Sequence, residues 1–273
     1  ATGQEKVQKG FEPLLEGFRY ADFDDLPSVV AQMDETVCAV MVEPVQGEGG
    51  VTAADPDFLK GLRGECTARG ILLVLDEVQC GMARTGRMFA HEHYGIVPDI
   101  MTLAKALGNG MPIGAMLTTD EIASVMGPGT HGTTFGGNPM VTAAALAVLR
   151  TMVDENIPAR AEFMGGYFRK RLAEHLGGYP NVAGFRGIGM MVGIELTHPG
   201  ASVVKECLRR GLLINCTMGN VLRMLPPLTV TETDCDRVTA ILAEVLAMEE
   251  IRGSAEATAA TVATSGANPG GKQ

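Results

Sequence analysis

Five consecutive aliphatic residues, Ile71-Leu72-Leu73-Val74-Leu75, stop abruptly at Asp76-Glu77-Val78-Gln79. A run this short, with no polar alternation, predicts a fully buried strand. Just before it, Asp55 as N-cap and Pro56 at the first helical position open a helix to about Arg69, and Gly70 stops it. Further upstream, Thr36–Val42 predicts a short strand. It empties into Glu43-Pro44-Val45-Gln46-Gly47-Glu48-Gly49-Gly50, where one Pro and three Gly mark a tight loop close to something else. Strand, loop, helix, strand is the order of a parallel α/β sheet, whose ligands bind beyond the carboxyl ends of the strands.

Two more short strands, Asp99–Leu103 and Ile113–Leu117, bracket a loop holding Lys105, and Asn138–Glu155 reads as a long helix with no breaker until Pro158. Beyond it the texture changes. A helix over 159–176, strands at Val182–Phe185 and Met190–Leu196, a helix over 202–210, strands at Leu212–Asn215 and Val221–Met224, and a helix over 232–250 predict a smaller α+β domain. Residues 1–35 read as irregular. The expected organisation is a large domain with its linking helix over 1–155, a small domain over 156–252, and a disordered Ala/Thr/Gly/Ser-rich tail over 253–273.

Composition narrows the classes. Hydrophobic residues at 46% and charged residues at 20% are ordinary for a globular chain, and a net charge of −10 argues against a broad nucleic-acid footprint. The six cysteines form no CxxC pair, so neither a disulfide framework nor a zinc site is expected, and free thiols fit a reducing cytoplasm. His91, His93 and His131 have no metal-ligand spacing. No apolar run approaches the roughly 20 residues that cross a bilayer, and no signal peptide opens the chain, so a cytoplasmic protein without membrane contact is expected.

An Asp at the end of an aliphatic strand also occurs in P-loop NTPases, where it holds Mg²⁺, but this chain has no GxxxxGK[ST] to cradle phosphates. Lys105 offers another chemistry. It lies between small residues in Ala104-Lys105-Ala106-Leu107-Gly108-Asn109-Gly110, after an apolar strand, where burial would leave its amine nucleophilic. A lysine that can condense with an aldehyde, together with an Asp that keeps a pyridine nitrogen protonated, is what pyridoxal phosphate (PLP) chemistry requires. Val78 can pack on a flat ring and Gln79 can bond a ring hydroxyl. The run His131-Gly132-Thr133-Thr134-Phe135-Gly136-Gly137-Asn138-Pro139 suits a phosphate and also an ordinary helix cap. Arg223, inside an apolar strand before Pro226-Pro227, needs a carboxylate from a substrate or a protein Glu. Arg186, before Gly187-Ile188-Gly189, reads as structural.

Together the stretches Glu43–Gly50, Leu75–Gln79, Ala104–Gly108, Thr133–Pro139 and Arg223–Leu228 resemble the class III aminotransferases, PLP enzymes of fold type I. Within that class the opening Ala1–Val7, Phe18-Arg19-Tyr20 and Lys105–Ala115 look most like the acetylornithine aminotransferases. The resemblance implies a mainly parallel, incomplete PLP-binding large domain and a C-terminal α+β domain. It implies that Lys105 bonds the cofactor aldehyde, Asp76 pairs with the pyridine nitrogen, Val78 packs on the ring and Gln79 bonds the ring hydroxyl. Thr134 would reach the phosphate held by the other subunit of a homodimer. Arg223 would bind the α-carboxylate of glutamate or 2-oxoglutarate, and Glu48 would pair with Arg223 while acetylornithine is bound.

Ornithine and 4-aminobutyrate aminotransferases share the Glu48–Arg223 logic, and a catalytically dead remnant is a further alternative. The family's main phosphate-binding glycine loop, its ring-stacking aromatic residue and its Arg for the acetylornithine carboxylate cannot be placed in residues 1–273. The chain is therefore expected to be N-terminally incomplete.

Overall fold

The structure is a computed structural model and describes residues 2–265. In chain order its elements begin with α1 (Glu5–Gln8), α2 (Leu26–Gln32), β1 (Ala39–Val42), β2 (Val45–Gln46), β3 (Thr52–Ala53), α3 (Pro56–Arg69) and β4 (Leu72–Asp76). There follow β5 (Ile100–Leu103), β6 (Ala115–Thr118), α4 (Asp120–Ala123), α5 (Pro139–Asp154), α6 (Ile157–Leu176), β7 (Val182–Ile188) and β8 (Met191–Leu196). The last are α7 (Ala201–Arg209), β9 (Asn215–Thr217), β10 (Val221–Met224) and α8 (Glu232–Ser265). They form two compact units. One is Ala1–Pro44, Ala54–Met82 and Phe89–Val148; the other is Val45–Ala53, Ala83–Met88 and Leu149–Gln273.

In the first unit a four-stranded sheet runs in the order β1-β4-β5-β6. The pairs β1/β4 and β4/β5 are parallel, and β6 returns antiparallel to β5. Helix α3 forms where its caps predict it: Asp55 accepts from the Asp57 N–H, Pro56 opens the first turn, and Gly70 closes the helix in a left-handed conformation. It buries Phe58, Leu59, Leu62 and Cys66 against Leu73 and Leu75, each large side chain contributing roughly 1.5–3 kcal/mol. Leu72 and Val74 point the other way and are only half-buried. The strand predicted as fully buried is therefore covered on one face, because side chains alternate and α3 packs on one side. Residues 1–35, expected to be irregular, contain α1 and α2, the latter capped by Asp25.

In the second unit a four-stranded antiparallel sheet runs β7-β8-β10-β9. Its core joins Phe168, Leu172 and Leu176 of α6, Val192, Ile194 and Leu196 of β8, Cys207 of α7, and Leu242, Val245 and Leu246 of α8. Pro158 does not separate helices as expected. It sits in the first turn of α6, where its missing N–H costs nothing, after Asn156 at φ +48°. The strand before β10 is shifted from the reading: β9 runs Asn215–Thr217 rather than Leu212–Asn215, because the Leu212 N–H turns back to the Cys207 carbonyl that ends α7, whereas β10 spans Val221–Met224 as read. Helix α8 continues through Ser265, into the segment expected as a disordered tail, and the rest of that tail, 266–273, lies outside the described residues. No helix among the described residues is long and apolar enough to cross a membrane.

The loop after β1 is itself ordered as a small hairpin. Val45 and Gln46 pair with Ala53 and Thr52, and this hairpin belongs to the second unit.

Candidate active site

In the first unit the chemistry gathers at the carboxyl ends of β4 and β5. Asp76 is the last residue of β4 and pairs in register with Thr102 of β5, so Lys105 follows three residues beyond that point. The Glu77 N–H donates to the Thr102 carbonyl at 3.0 Å and fixes the two strand ends together. Asp76 Oδ1 accepts from the Val78 N–H at 3.0 Å, so its carboxylate also caps the turn that carries Val78 and Gln79. Both of those side chains are half-buried.

Glu77, 1% exposed, anchors the next turn: its carboxylate accepts from the Ala90 N–H at 2.6 Å and the His91 N–H at 2.9 Å, and lies 2.8 Å from His91 Nδ1. His91 is thus structural, as its spacing implied. No metal-binding cluster occurs among the described residues.

Lys105 opens a short 3₁₀ turn, Lys105–Leu107, at φ +42°. For a non-glycine residue that conformation costs of the order of 1–3 kcal/mol and is typical of functional sites. The side chain is exposed, which corrects the expectation of burial. The cause is its place at a strand end, where the chain leaves the sheet for a turn. Thr134 is exposed in the turn before α5, a turn held by Thr133 Oγ1 accepting from the Gly136 N–H at 3.1 Å. Asn138 accepts from the Val141 N–H at 3.2 Å, so the helix-cap reading of this motif holds.

In the second unit, Glu48 at the hairpin tip and Arg223 of β10 meet: Arg223 Nη1 donates to Glu48 Oε1 at 2.6 Å. The Arg223 side chain is 10% exposed and that of Glu48 57%. The guanidinium is also oriented by Asn215, which faces it in register from β9 and accepts from Nε at 3.2 Å. Sequence reasoning missed Asn215, whose only signal was its place at the end of a predicted strand.

It also missed Arg84, which donates to the Met190 carbonyl at 3.2 Å and the Pro226 carbonyl at 2.6 Å. Arg84 thereby ties the 83–88 loop to the chain that leaves β10 just after Arg223. Burial pulls its pKa down to about 10, and it stays charged at neutral pH.

The first unit presents Asp76 and Lys105 at adjacent ends of parallel strands, and the second opposes Arg223 with Glu48 on a hairpin. The chain belongs to the class-III aminotransferase family, which it matches over residues 1–246. It is 48% identical over 245 residues to the acetylornithine aminotransferase of Methanocaldococcus jannaschii, covering 90% of this chain and 62% of that protein. It is 47% identical to the acetylornithine aminotransferase of Caldanaerobacter subterraneus, covering 92% of this chain and 64% of the relative. Among solved structures, the ornithine aminotransferase of Toxoplasma gondii aligns with a TM-score of 0.87 at 36% identity, covering 92% of this chain and 61% of that one. The chain thus spans less than two thirds of the length of these relatives. The structural neighbours are PLP-dependent fold type I enzymes, and the fold class read from the sequence holds.

PLP is the cofactor of this family, and the residues present fit part of it. A lysine amine, a carboxylate, an aliphatic side chain and an amide, those of Lys105, Asp76, Val78 and Gln79, are all offered at the carboxyl ends or following turns of β4 and β5.

Proposed function

We propose that the complete protein transfers the terminal amino group of N2-acetylornithine to 2-oxoglutarate, giving N-acetylglutamate semialdehyde and glutamate, as a step of arginine biosynthesis. The observation that carries the reading is the Glu48–Arg223 pair at 2.6 Å. A substrate reacting through its terminal amine needs a neutralised arginine, whereas a dicarboxylate needs the same arginine exposed. The similarity to acetylornithine aminotransferases supports the choice of donor. The likeness to an ornithine aminotransferase favours ornithine as the second reading.

Held at the carboxyl ends of β4 and β5, PLP would supply an electron-accepting ring for the charge that develops when an amine carbon loses its proton. Asp76 holds the proton on the ring nitrogen, an electrostatic role that its own turn pre-organises through the Val78 N–H. Lys105 would hold the cofactor through its Nζ and, when that amine is free, would move the proton as base and then acid. Arg223, oriented by Asn215, binds the α-carboxylate of glutamate or 2-oxoglutarate, and Glu48 takes its place when the other donor is bound. Thr134 contacts the phosphate held by a second copy in a homodimer. The small-molecule partners are acetylornithine, 2-oxoglutarate and glutamate, and the setting is the cytoplasm.

The test is attachment rather than turnover. Borohydride reduction of the purified chain with PLP should add one pyridoxyl group to the peptide containing Lys105, and Lys105→Ala should lose it. Without reduction, dialysis should remove most of the cofactor, since the family's main phosphate loop has no match in residues 1–273. Labelling spread over many lysines, or unchanged in Lys105→Ala, refutes the assignment. In a full-length protein, acetylornithine, ornithine and 4-aminobutyrate are then compared by the kcat/KM of the donor half-reaction.

A further inference from the structure

We infer that Arg186 is a positioning residue: it holds the Val45–Ala53 hairpin in the one register at which Glu48 reaches Arg223. The inference rests on reading Arg223 as the carboxylate site. Arg186 of β7, Gly193 of β8 and Arg223 of β10 oppose one another on successive antiparallel strands, so they stand in a row on one face of the sheet. Strand spacing sets the two arginines about 10 Å apart. Between them Gly193 leaves a gap that the hairpin fills. A Cβ built on Gly193 would lie 3.2 Å from Val51 Cβ and 3.1 Å from Arg186 Cγ.

Val51 is fully buried there at φ +54°, a left-handed conformation that a β-branched residue keeps only under constraint. Arg186 supplies that constraint. Its guanidinium pairs with Glu195 of β8, and its Nη1 comes within 3.5 Å of Thr52 Oγ1. Thr52 Oγ1 donates in turn to the Gly49 carbonyl at 2.9 Å, one peptide from Glu48.

The two arginines therefore divide two jobs. Each has its own carboxylate, Glu195 for Arg186 and Glu48 for Arg223, so neither competes for the other's partner. Arg186 anchors the strand next to the hairpin tip, at Val51 and Thr52, while Glu48 in the tip is the exposed member that a dicarboxylate must displace. How tightly the Val51–Thr52 segment is held sets how well Glu48 competes with that substrate, which makes Arg186 a determinant of the balance between donor and acceptor.

The experiment follows modification of Arg223 by phenylglyoxal, read by peptide mass spectrometry on the whole chain, with no cofactor required. Glu48→Gln should raise the rate about tenfold by removing a charge-assisted bond. Arg186→Lys keeps the charge facing Glu195 but loses the forked donors, and should raise the rate several-fold. Added to Glu48→Gln, it should raise the rate no further. Thr52→Val, which removes the bridging hydroxyl with little change of shape, should give the same pattern; the exposed Arg209 serves as the internal reference for reagent reactivity, and the largely buried Arg84 as the reference for unfolding.

No change in Arg186→Lys and Thr52→Val overturns the proposal, and so does an equal rise with and without Glu48. Glutarate should slow modification of Arg223 in the Glu48→Gln chain. Absence of that protection overturns the carboxylate reading of Arg223, whereas dependence on Glu48 upholds or sinks the positioning role by itself.

Discussion

Tyr94 shows how one side chain couples burial to pH. It is 4% exposed and donates its hydroxyl to the Pro44 carbonyl at 3.1 Å. Burial is the main cause that pushes the phenol up to about 12, with the nearby Cys80, Asp24 and Glu77 adding to it. A pKa raised on folding means that the folded chain holds the proton more tightly than the unfolded one. The stabilisation is complete below about pH 10 and is lost as pH rises through about 12. Tyr94→Phe should cost about 1 kcal/mol at neutral pH, because the Pro44 carbonyl keeps the Ala54 N–H at 3.0 Å as its other donor. It should also flatten the loss of stability above pH 10. Urea midpoints measured near pH 7 and pH 11 decide this, and a variant that loses stability in parallel with the parent chain refutes it.

At the same scale, Lys105, Asp76, Glu48 and Arg223 stood out in the sequence because few residue types can do the jobs proposed for them. The exposure of Lys105 was not, since flanking alanines and glycines say what can turn and not what covers the turn.

Adjacent glycines in α6 make a sharper test at the scale of the element. Gly165 is buried against the Gly189 carbonyl, and a Cβ added there would lie 2.0 Å from that oxygen, in backbone that cannot yield. Gly166 faces open space, with nothing within 4 Å of an added Cβ. Gly165→Ala should destabilise by about 3 kcal/mol or more through overpacking. Gly166→Ala should stabilise by up to about 1 kcal/mol through helix propensity. Chemical denaturation of the two single variants reads the opposite signs; a shift in the same direction would mean that this helix does not sit on the β7–β8 turn as described.

Such a contact is invisible in a sequence, where Gly165 and Gly166 are equivalent. What could be read were the elements with local signals, such as α3 with its Asp55, Pro56 and Gly70, and β10 with three apolar residues around Arg223. Elements defined by pairing could not: the Val45–Ala53 hairpin has two-residue strands and looks like a loop until its partner is known. The antiparallel return of β6 was hidden for the same reason, since strand direction is a property of the sheet.

For the whole molecule the open question is how the sheet of the first unit ends. Strands β1 (Ala39-Val40-Met41-Val42) and β6 (Ala115-Met116-Leu117-Thr118) are its edges, and each pairs on one side only among the described residues. Neither carries a charge or a proline, the usual devices that keep an edge from pairing with another chain. Met41 is 57% exposed, Met116 46% and Leu117 41%, so apolar surface accompanies the unpaired backbone.

The relatives are longer than this chain, which spans 62% of one and 64% of another. An edge left open among the described residues is a place where a second copy can pair. The purified chain should therefore self-associate with rising concentration. Met41→Lys combined with Met116→Lys should shift it toward monomer, because a charged residue on an edge strand loses hydration when another strand is laid beside it. Sedimentation velocity over a hundredfold range of concentration measures both. If the unmodified chain stays monomeric throughout, its edges are already protected. If it associates and the double variant associates equally, the contact lies elsewhere on the surface.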